Sequence, residues 1–155
     1  MLTFWRICAA RRAATAFDGE GSRLFGGRWN PKGVAVVYCS STLSLATLES
    51  FVHFDPGAAP AGPHVSFRAS LPDGVPVEHV DRAKLPRDWR DYPAPAALGA
   101  MGAAWAKARR TVALLVPSAV TPVEDNVLVN PHHPDMAKVV IDAAEPFAFD
   151  PRMFK

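Results

Sequence analysis

The sequence lacks the glycine-rich signatures of the common nucleotide-binding and hydrolase folds. It contains no G-x-x-x-x-G-K-[ST] phosphate loop and no G-x-S-x-G turn for a nucleophilic serine. A G-x-G-x-x-G motif is also absent, because Gly19 and Gly21 lack the third glycine. The sequence therefore gives no support to a P-loop, α/β-hydrolase or Rossmann-type assignment, and a function has to be argued from other residues.

The sequence also has only two cysteines and no large excess of charge of either sign. Cys8 and Cys39 give neither a disulfide framework nor a CxxC metal pair. Seventeen basic residues against fifteen acidic ones leave a formal charge of +2, and the cations are scattered, so we expect no direct nucleic-acid binding. His132, His133 and Asp135 fall in a Pro-bounded turn where adjacent histidines point in different directions, so we predict no metal site.

Long hydrophobic runs are missing too. No apolar run approaches the roughly 18 residues that span a bilayer. Arg6 and Arg11 interrupt the N-terminal apolar stretch before it reaches signal-peptide length, so we expect a cytoplasmic location without a membrane segment. With 49% hydrophobic and 21% charged residues among 155, the chain can order one core, and it contains no repeat or linker. We expect one domain over residues 1–155.

What the sequence has in quantity is turn residues. Fifteen prolines and ten glycines divide the chain into short segments, which favours several strands over long helices. Helices are predicted after an N-cap at Ser40 or Ser41 and over about 95–109. Strands are predicted to begin near Thr3, Ala35, His64, Pro76, Thr111, Asn126, Lys138 and Pro146. This order predicts an α+β domain with a mixed sheet.

One carboxylate is predicted to lie on the apolar side of a helix. At roughly 100° per residue, Glu49 shares a narrow sector with Leu45 and Val52. An ionised carboxylate is costly to bury without a partner. Glu49 is therefore either buried and satisfied by hydrogen bonds or by a cation such as an arginine, or exposed in a cleft, and the helix alone leaves both interpretations open.

Three further residues have both structural and functional interpretations. Arg28 in GGRWN offers a fork for phosphate or carboxylate, and the glycines before it permit close approach of a ligand. Tyr38 lies in the apolar segment AVVYCS, where a tyrosine usually belongs to the core. Ser118 follows the most apolar strand, at a position where functional side chains tend to emerge. Taken singly, each residue is more often structural.

In order and spacing these residues resemble the RES-domain family, the toxin halves of bacterial toxin–antitoxin pairs. The arginine, glutamate and serine that give the family its name correspond to Arg28 in GRWNP, Glu49 in LATLES and Ser118 in LVPS. Three more segments match, namely WRI at 5–7, YCSS at 38–41 and EDNVLVNP at 124–131. The resemblance runs from about residue 3 to about residue 150, and the Ala/Pro-rich stretch 55–63 has no counterpart in it.

The resemblance implies a fold similar to ADP-ribosyltransferase catalytic domains and a substrate, NAD, that is split between nicotinamide and ribose without a metal. NAD glycohydrolase or phosphorylase activity of this kind would arrest growth by depleting NAD. Some relatives instead transfer ADP-ribose to a protein of nucleotide metabolism. The implied partner is an Xre-type helix-turn-helix antitoxin, and a homodimer inside such a complex is compatible with the resemblance.

The resemblance also implies roles for the residues. Glu49 stabilises positive charge on the ribose and can hold a ribose hydroxyl, and Arg28 binds the pyrophosphate or the ribose hydroxyls. Tyr38 stacks on or orients the nicotinamide ring, and Ser118 hydrogen-bonds to the nicotinamide side. Further NAD-binding candidates are Arg6 on the first strand and Asn126 in EDNVLVNP. A hypothesis from another class is a non-catalytic module that holds a nucleotide or peptide beside Arg28 and leaves it unchanged.

Overall fold

Short strands separated by turns form one mixed sheet in the computed structural model, which describes residues 1–155. The strands are β1 (Leu2–Ala9), β2 (Val37–Ser40), β3 (His64–Leu71), β4 (Val77–His79), β5 (Ala113–Pro117), β6 (Asp125–Val129), β7 (Val140–Ile141) and β8 (Glu145–Phe147). The α-helices are α1 (Glu20–Phe25), α2 (Leu43–Phe51) and α3 (Ala96–Ala108). Short 3₁₀ helices cover Ala10–Thr15, Arg82–Lys84, Pro134–Lys138 and Pro151–Phe154.

The sheet order is β4-β5-β6-β2-β1-β3-β7, and β8 also pairs with β3. The β4–β5 pair is parallel and all other pairs are antiparallel, which confirms the predicted α+β domain with a mixed sheet. In the register, Asn126 at the start of β6 pairs with Ser40 at the end of β2 and with Val116 near the end of β5. The C-terminal ends of β2 and β5 and the N-terminal end of β6 therefore lie side by side at one end of the sheet.

Alternate residues of the central strands supply two separate cores. On β6, Val127 and Val129 belong to a cluster with Phe4, whereas Leu128 belongs to a cluster with Trp29 and others. This division follows from the strand geometry, because successive side chains point to opposite faces of a sheet. Helix α2 packs on β1 and β2.

Helix α3 lies unusually close to the loop that carries Arg28. A Cβ atom added at Gly102 would sit 1.7 Å from the carbonyl oxygen of Trp29, so only glycine permits this approach. Trp29 is buried in the same cluster as Trp105 of α3. The GGRWN loop therefore packs directly against α3, a helix that starts almost seventy positions later in the chain.

The structure corrects two details predicted for α2. Its N-cap is Thr42, whose hydroxyl accepts a hydrogen bond from the Leu45 amide at 3.0 Å, and not Ser40 or Ser41. Ser40 is still part of β2, which explains the shift. Leu45 is buried as predicted, but Val52 is the C-cap residue and is 52% exposed. None of the helices combines the length and apolar character needed to cross a bilayer.

Candidate active site

A large cleft opens beside the strand ends of β2 and β6. Its volume is about 1380 Å³, and its walls come from β1, α1, the GGRWN loop, α2 and segments near residues 90–94 and 119–126. Five of the six predicted site residues line it: Arg6, Arg28, Tyr38, Glu49 and Asn126. Ser118 lies behind this wall and is fully buried. The fold thus collects residues that are far apart in the sequence.

Glu49 has one fixed carboxylate oxygen and one unoccupied oxygen. Oε1 accepts hydrogen bonds from Ser118 Oγ at 2.6 Å and Asn126 Nδ2 at 2.7 Å. Oε2 accepts no hydrogen bond from the protein, and the half-buried side chain lines the cleft. No cation pairs with Glu49, so of the two interpretations of this residue the cleft carboxylate fits the structure.

Ser118 is oriented by the turn that follows it. Its oxygen accepts hydrogen bonds from the backbone amides of Val120 and Thr121, both at 3.1 Å. With those two donors on its lone pairs, the hydroxyl hydrogen is left for Glu49. The contact predicted between Ser118 and nicotinamide stays a prediction, whereas the contact that the structure contains is the one to Glu49.

Asn126 is the second donor to Glu49, and a serine fixes which way its amide points. Ser40 Oγ donates to Asn126 Oδ1 at 2.7 Å, which leaves Nδ2 to face the carboxylate. Sequence reasoning treated Ser40 only as a helix cap. The signal that identifies its role is the antiparallel β2–β6 register, in which Ser40 and Asn126 are direct partners.

Arg28 holds one wall of the cleft in place. Its Nη1 donates to the carbonyl oxygens of Trp89 at 2.8 Å and Asp91 at 3.0 Å. Its Nε and Nη2 donate to no group in the protein, and the residue lines the cleft. The guanidinium therefore has hydrogens left for an anionic ligand while it fixes the segment around Asp91.

Tyr38 supports the same loop from within the sheet. Its hydroxyl donates to Asn30 Oδ1 at 2.5 Å and accepts from the Trp29 amide at 3.0 Å. Burial raises the pKa of the Tyr38 phenol well above its ordinary value, so this group stays protonated. Gly27 is required beside it, because a Cβ atom there would lie 2.7 Å from the Tyr38 hydroxyl.

Arg6 reaches the same strand from β1. It donates through Nε to the carbonyl of Ala16 at 2.7 Å and through Nη1 to the carbonyl of Tyr38 at 2.8 Å. Like Arg28, it combines backbone contacts with a place on the cleft wall. Its second terminal nitrogen is not used by any group of the protein.

The cleft is rich in arginines that have no carboxylate partner. Five arginines line it, namely Arg6, Arg11, Arg12, Arg28 and Arg90, and none of them belongs to an ion pair. Unpaired guanidinium groups in a concave site attract anions, and phosphate oxygens match their fork geometry. No three His, Cys, Asp or Glu side chains come together as a metal-binding group.

Comparisons with known proteins identify the family. The profile of the RES domain family matches residues 3–150. A protein named "Prs ADP-ribosylating toxin" from Sphingobium sp. is 38% identical over 99% of this chain and 97% of its own length. A "Toxin Res" from Yersinia enterocolitica is 34% identical over 98% of this chain and 99% of its own length.

The fold also matches a solved structure. A chain of the M. tuberculosis MbcT–MbcA toxin–antitoxin complex superposes with a TM-score of 0.73, covering 98% of this chain and 86% of that chain. At 20% sequence identity, this similarity concerns the fold.

Proposed function

The chain belongs to the RES-domain family, and on that premise we propose that it is the toxin of a bacterial toxin–antitoxin pair and splits NAD between nicotinamide and ribose. The observation that supports this most directly is Glu49, whose Oε1 is held by two donors while Oε2 faces a cleft lined by arginines. It supports the proposal because one cleft combines a carboxylate suited to a developing cation with guanidinium groups suited to a diphosphate.

Bond cleavage in NAD requires little proton transfer. The electron pair of the bond between ribose C1′ and the ring nitrogen leaves with nicotinamide, which departs as a neutral molecule. Positive, oxocarbenium-like charge then develops on the ribose. A fixed carboxylate stabilises that charge without reorganising, and we assign this role to Oε2 of Glu49. The apolar neighbours of α2 strengthen the interaction by lowering the local dielectric.

The arginines bind the other end of the substrate. Arg28 would hold the pyrophosphate with Nε and Nη2, and Arg6 is a second candidate for the same contact. Tyr38 keeps the Arg28 loop in shape and, as a residue of the cleft wall, is our candidate for orienting the nicotinamide. Ser118 and Asn126 position Glu49, and Asn126, which lines the cleft, is also a candidate for direct contact with NAD.

The ADP-ribosyl acceptor in this proposal is water or phosphate. The relative named "Prs ADP-ribosylating toxin" favours a second candidate, in which the acceptor is a side chain of a target protein. Both reactions use the same Glu49 and the same NAD orientation, and they differ only in what attacks C1′.

We further propose a cognate antitoxin of the Xre helix-turn-helix type as the partner, and the cytoplasm, where NAD is available, as the place of action. The similarity to a chain from a toxin–antitoxin complex supports this partner class. A homodimer of the toxin within such a complex is a further proposal.

The decisive experiment follows NAD concentration over time with purified protein, with and without phosphate, beside the Glu49→Gln variant. Loss of NAD in the wild type and not in the variant supports the proposed chemistry, and dependence on phosphate identifies the acceptor. Labelled NAD in cell lysate tests the second candidate, which requires a labelled protein band. NAD that stays intact in every condition, although it binds, would instead favour the non-catalytic module.

A further inference from the structure

Tyr92 is the most exposed aromatic residue of the chain. It is 85% exposed, yet it is part of the cleft wall. We propose that the Tyr92 ring is the platform on which the adenine base of the dinucleotide stacks. This inference rests on the proposed function and adds the subsite for the half of NAD that does not react.

The other aromatic residues of the inner cleft are already engaged. Trp29 is buried in the core beneath the loop, and the Tyr38 hydroxyl is hydrogen-bonded to Asn30. Trp29 therefore offers no face to a base, and Tyr38 is already assigned to the nicotinamide end of the substrate. A solvent-exposed aromatic ring in a binding groove is typical of a surface that a ligand covers, and every nucleobase has a face that stacks on such a ring.

The segment that leads into Tyr92 from its N-terminal side is held in place by two hydrogen bonds. The carbonyl of Asp91, the residue before it, accepts from Arg28 Nη1 at 3.0 Å. Arg90 Nε donates to the carbonyl of Ala119 at 3.0 Å, which ties the segment to the turn behind Ser118. The ring therefore projects from a fixed support, so little order is lost when a base stacks on it.

The position beside Arg28 suits the adenine end of NAD. A diphosphate on Arg28 joins two nucleosides, and Glu49 takes the ribose that bears nicotinamide. The second nucleoside then lies on the other side of the diphosphate, and the contact of Arg28 with the Asp91 carbonyl places Tyr92 next to the residue that binds that diphosphate. The volume of about 1380 Å³ exceeds the roughly 300–1,000 Å³ usual for a small ligand, so both halves have room.

Phe25 is the competing platform, because it is 74% exposed and also lines the cleft. It ends α1 and is separated from Arg28 by Gly26 and Gly27. No arginine of the cleft donates to the α1 backbone, whereas Arg28 donates directly to the residue before Tyr92. This difference makes Tyr92 the platform.

The test measures binding, so it does not depend on turnover. Calorimetry compares ADP-ribose, which contains adenine, with nicotinamide mononucleotide, which does not. We expect Tyr92→Ala to weaken ADP-ribose binding about tenfold, in line with the effect of removing one stacked aromatic side chain. Nicotinamide mononucleotide should bind the variant within about twofold of the wild type. Tyr92→Phe should restore ADP-ribose binding, and Val140→Ala, an exposed residue outside the cleft, is the control.

Four results would overturn the proposal. In the first two, Tyr92→Ala retains full affinity for ADP-ribose or loses both ligands equally. In the third, Phe25→Ala is the variant that loses ADP-ribose selectively, and in the fourth the wild type binds neither ligand. The proposed chemistry fails separately: a wild type that leaves NAD intact while Tyr92→Ala selectively loses ADP-ribose refutes the cleavage and supports the platform.

Discussion

Ser118 donates its hydroxyl hydrogen to Oε1 of Glu49 at 2.6 Å, although 69 positions separate the two residues in the sequence. Two of the residues predicted from the sequence to form the site therefore contact each other directly. The serine acts on the glutamate, and its own oxygen is held by the turn that follows β5. This places Ser118 among the residues that position the carboxylate.

Replacement of Ser118 by alanine should lower kcat for NAD cleavage by roughly one to two orders of magnitude and change KM little, because a positioning hydrogen bond to a charged group is lost. The amides of Val120 and Thr121 lose their acceptor, so the free energy of unfolding should fall by about 1–2 kcal/mol. Steady-state kinetics and thermal unfolding measure the two effects. Ser44→Ala, exposed on α2, is the matched control, and equal kinetics in both variants would contradict the assigned role.

Replacement of Asn126 by aspartate would put a second carboxylate against Glu49. Glu49 then loses the Asn126 amide as a donor, and the two like charges repel each other. The melting temperature of this variant should therefore lie about 4 °C or more below that of the wild type. Thermal unfolding is the measurement, and equal melting temperatures would show that the two side chains do not interact.

The Arg28→Lys substitution keeps the positive charge but removes the planar guanidinium group with its several donors. A lysine cannot hold two backbone carbonyls and still present two further nitrogens to phosphate, so KM for NAD should rise about tenfold or more. Arg23→Lys is the matched control, because Arg23 lies on α1 outside the cleft lining and pairs with Glu20. Similar KM values for the two variants would argue against a substrate contact by Arg28.

Replacement of two glycines of α3 by alanine should change the free energy of unfolding in opposite directions. At Gly102 the new methyl group would collide with the Trp29 carbonyl, so we expect a loss of about 3 kcal/mol in unfolding free energy. At Gly99 the nearest atom would be 3.5 Å away, so Gly99→Ala should gain about 0.5–1 kcal/mol from helix propensity. Denaturant unfolding of both variants tests the close contact, and a neutral Gly102→Ala would refute it.

Alkaline pH should destabilise the protein through Cys39. Burial raises the pKa of this thiol from 9.0 to about 12. The unfolded chain therefore ionises at a lower pH than the folded one, and stability is lost as pH rises from 9 toward 12. Between pH 8 and pH 10 the wild type should lose ~1 kcal/mol more than Cys39→Ala. Denaturant unfolding at the two pH values provides the comparison, and equal losses would contradict a buried thiol.

Local patterns predicted the local features of the molecule. The alternation in His64–Leu71 and the run after Pro95 became β3 and α3, because both elements are defined by side chains close in sequence. The cap of α2 was displaced to Thr42 because pairing with β6 kept Ser40 in a strand. Such competition between a cap and a ladder depends on a partner strand that the local sequence does not contain.

The candidate site, too, was predictable from local sequence only in part. The position of Glu49 toward the interior followed from helical spacing, and its exposure in a cleft needed the fold. The identity of its partners did not follow from spacing, because Ser118 and Asn126 arrive from other strands. Likewise, the contact of Arg28 with the carbonyl of Asp91 joins two loops and leaves no periodic signal in either.

The pairing of Ser40 with Asn126 requires a fixed number of residues in the strands that carry them, whereas a loop away from the cleft can vary in length. Deleting one residue inside β6 would move Asn126 to the opposite face of the sheet and leave Glu49 with a single donor. The loop 55–63 is mostly exposed and takes no part in the cleft wall, so added residues there cost little chain entropy. Insertions and deletions among relatives should therefore accumulate in that loop and be absent from the ends of β2, β5 and β6.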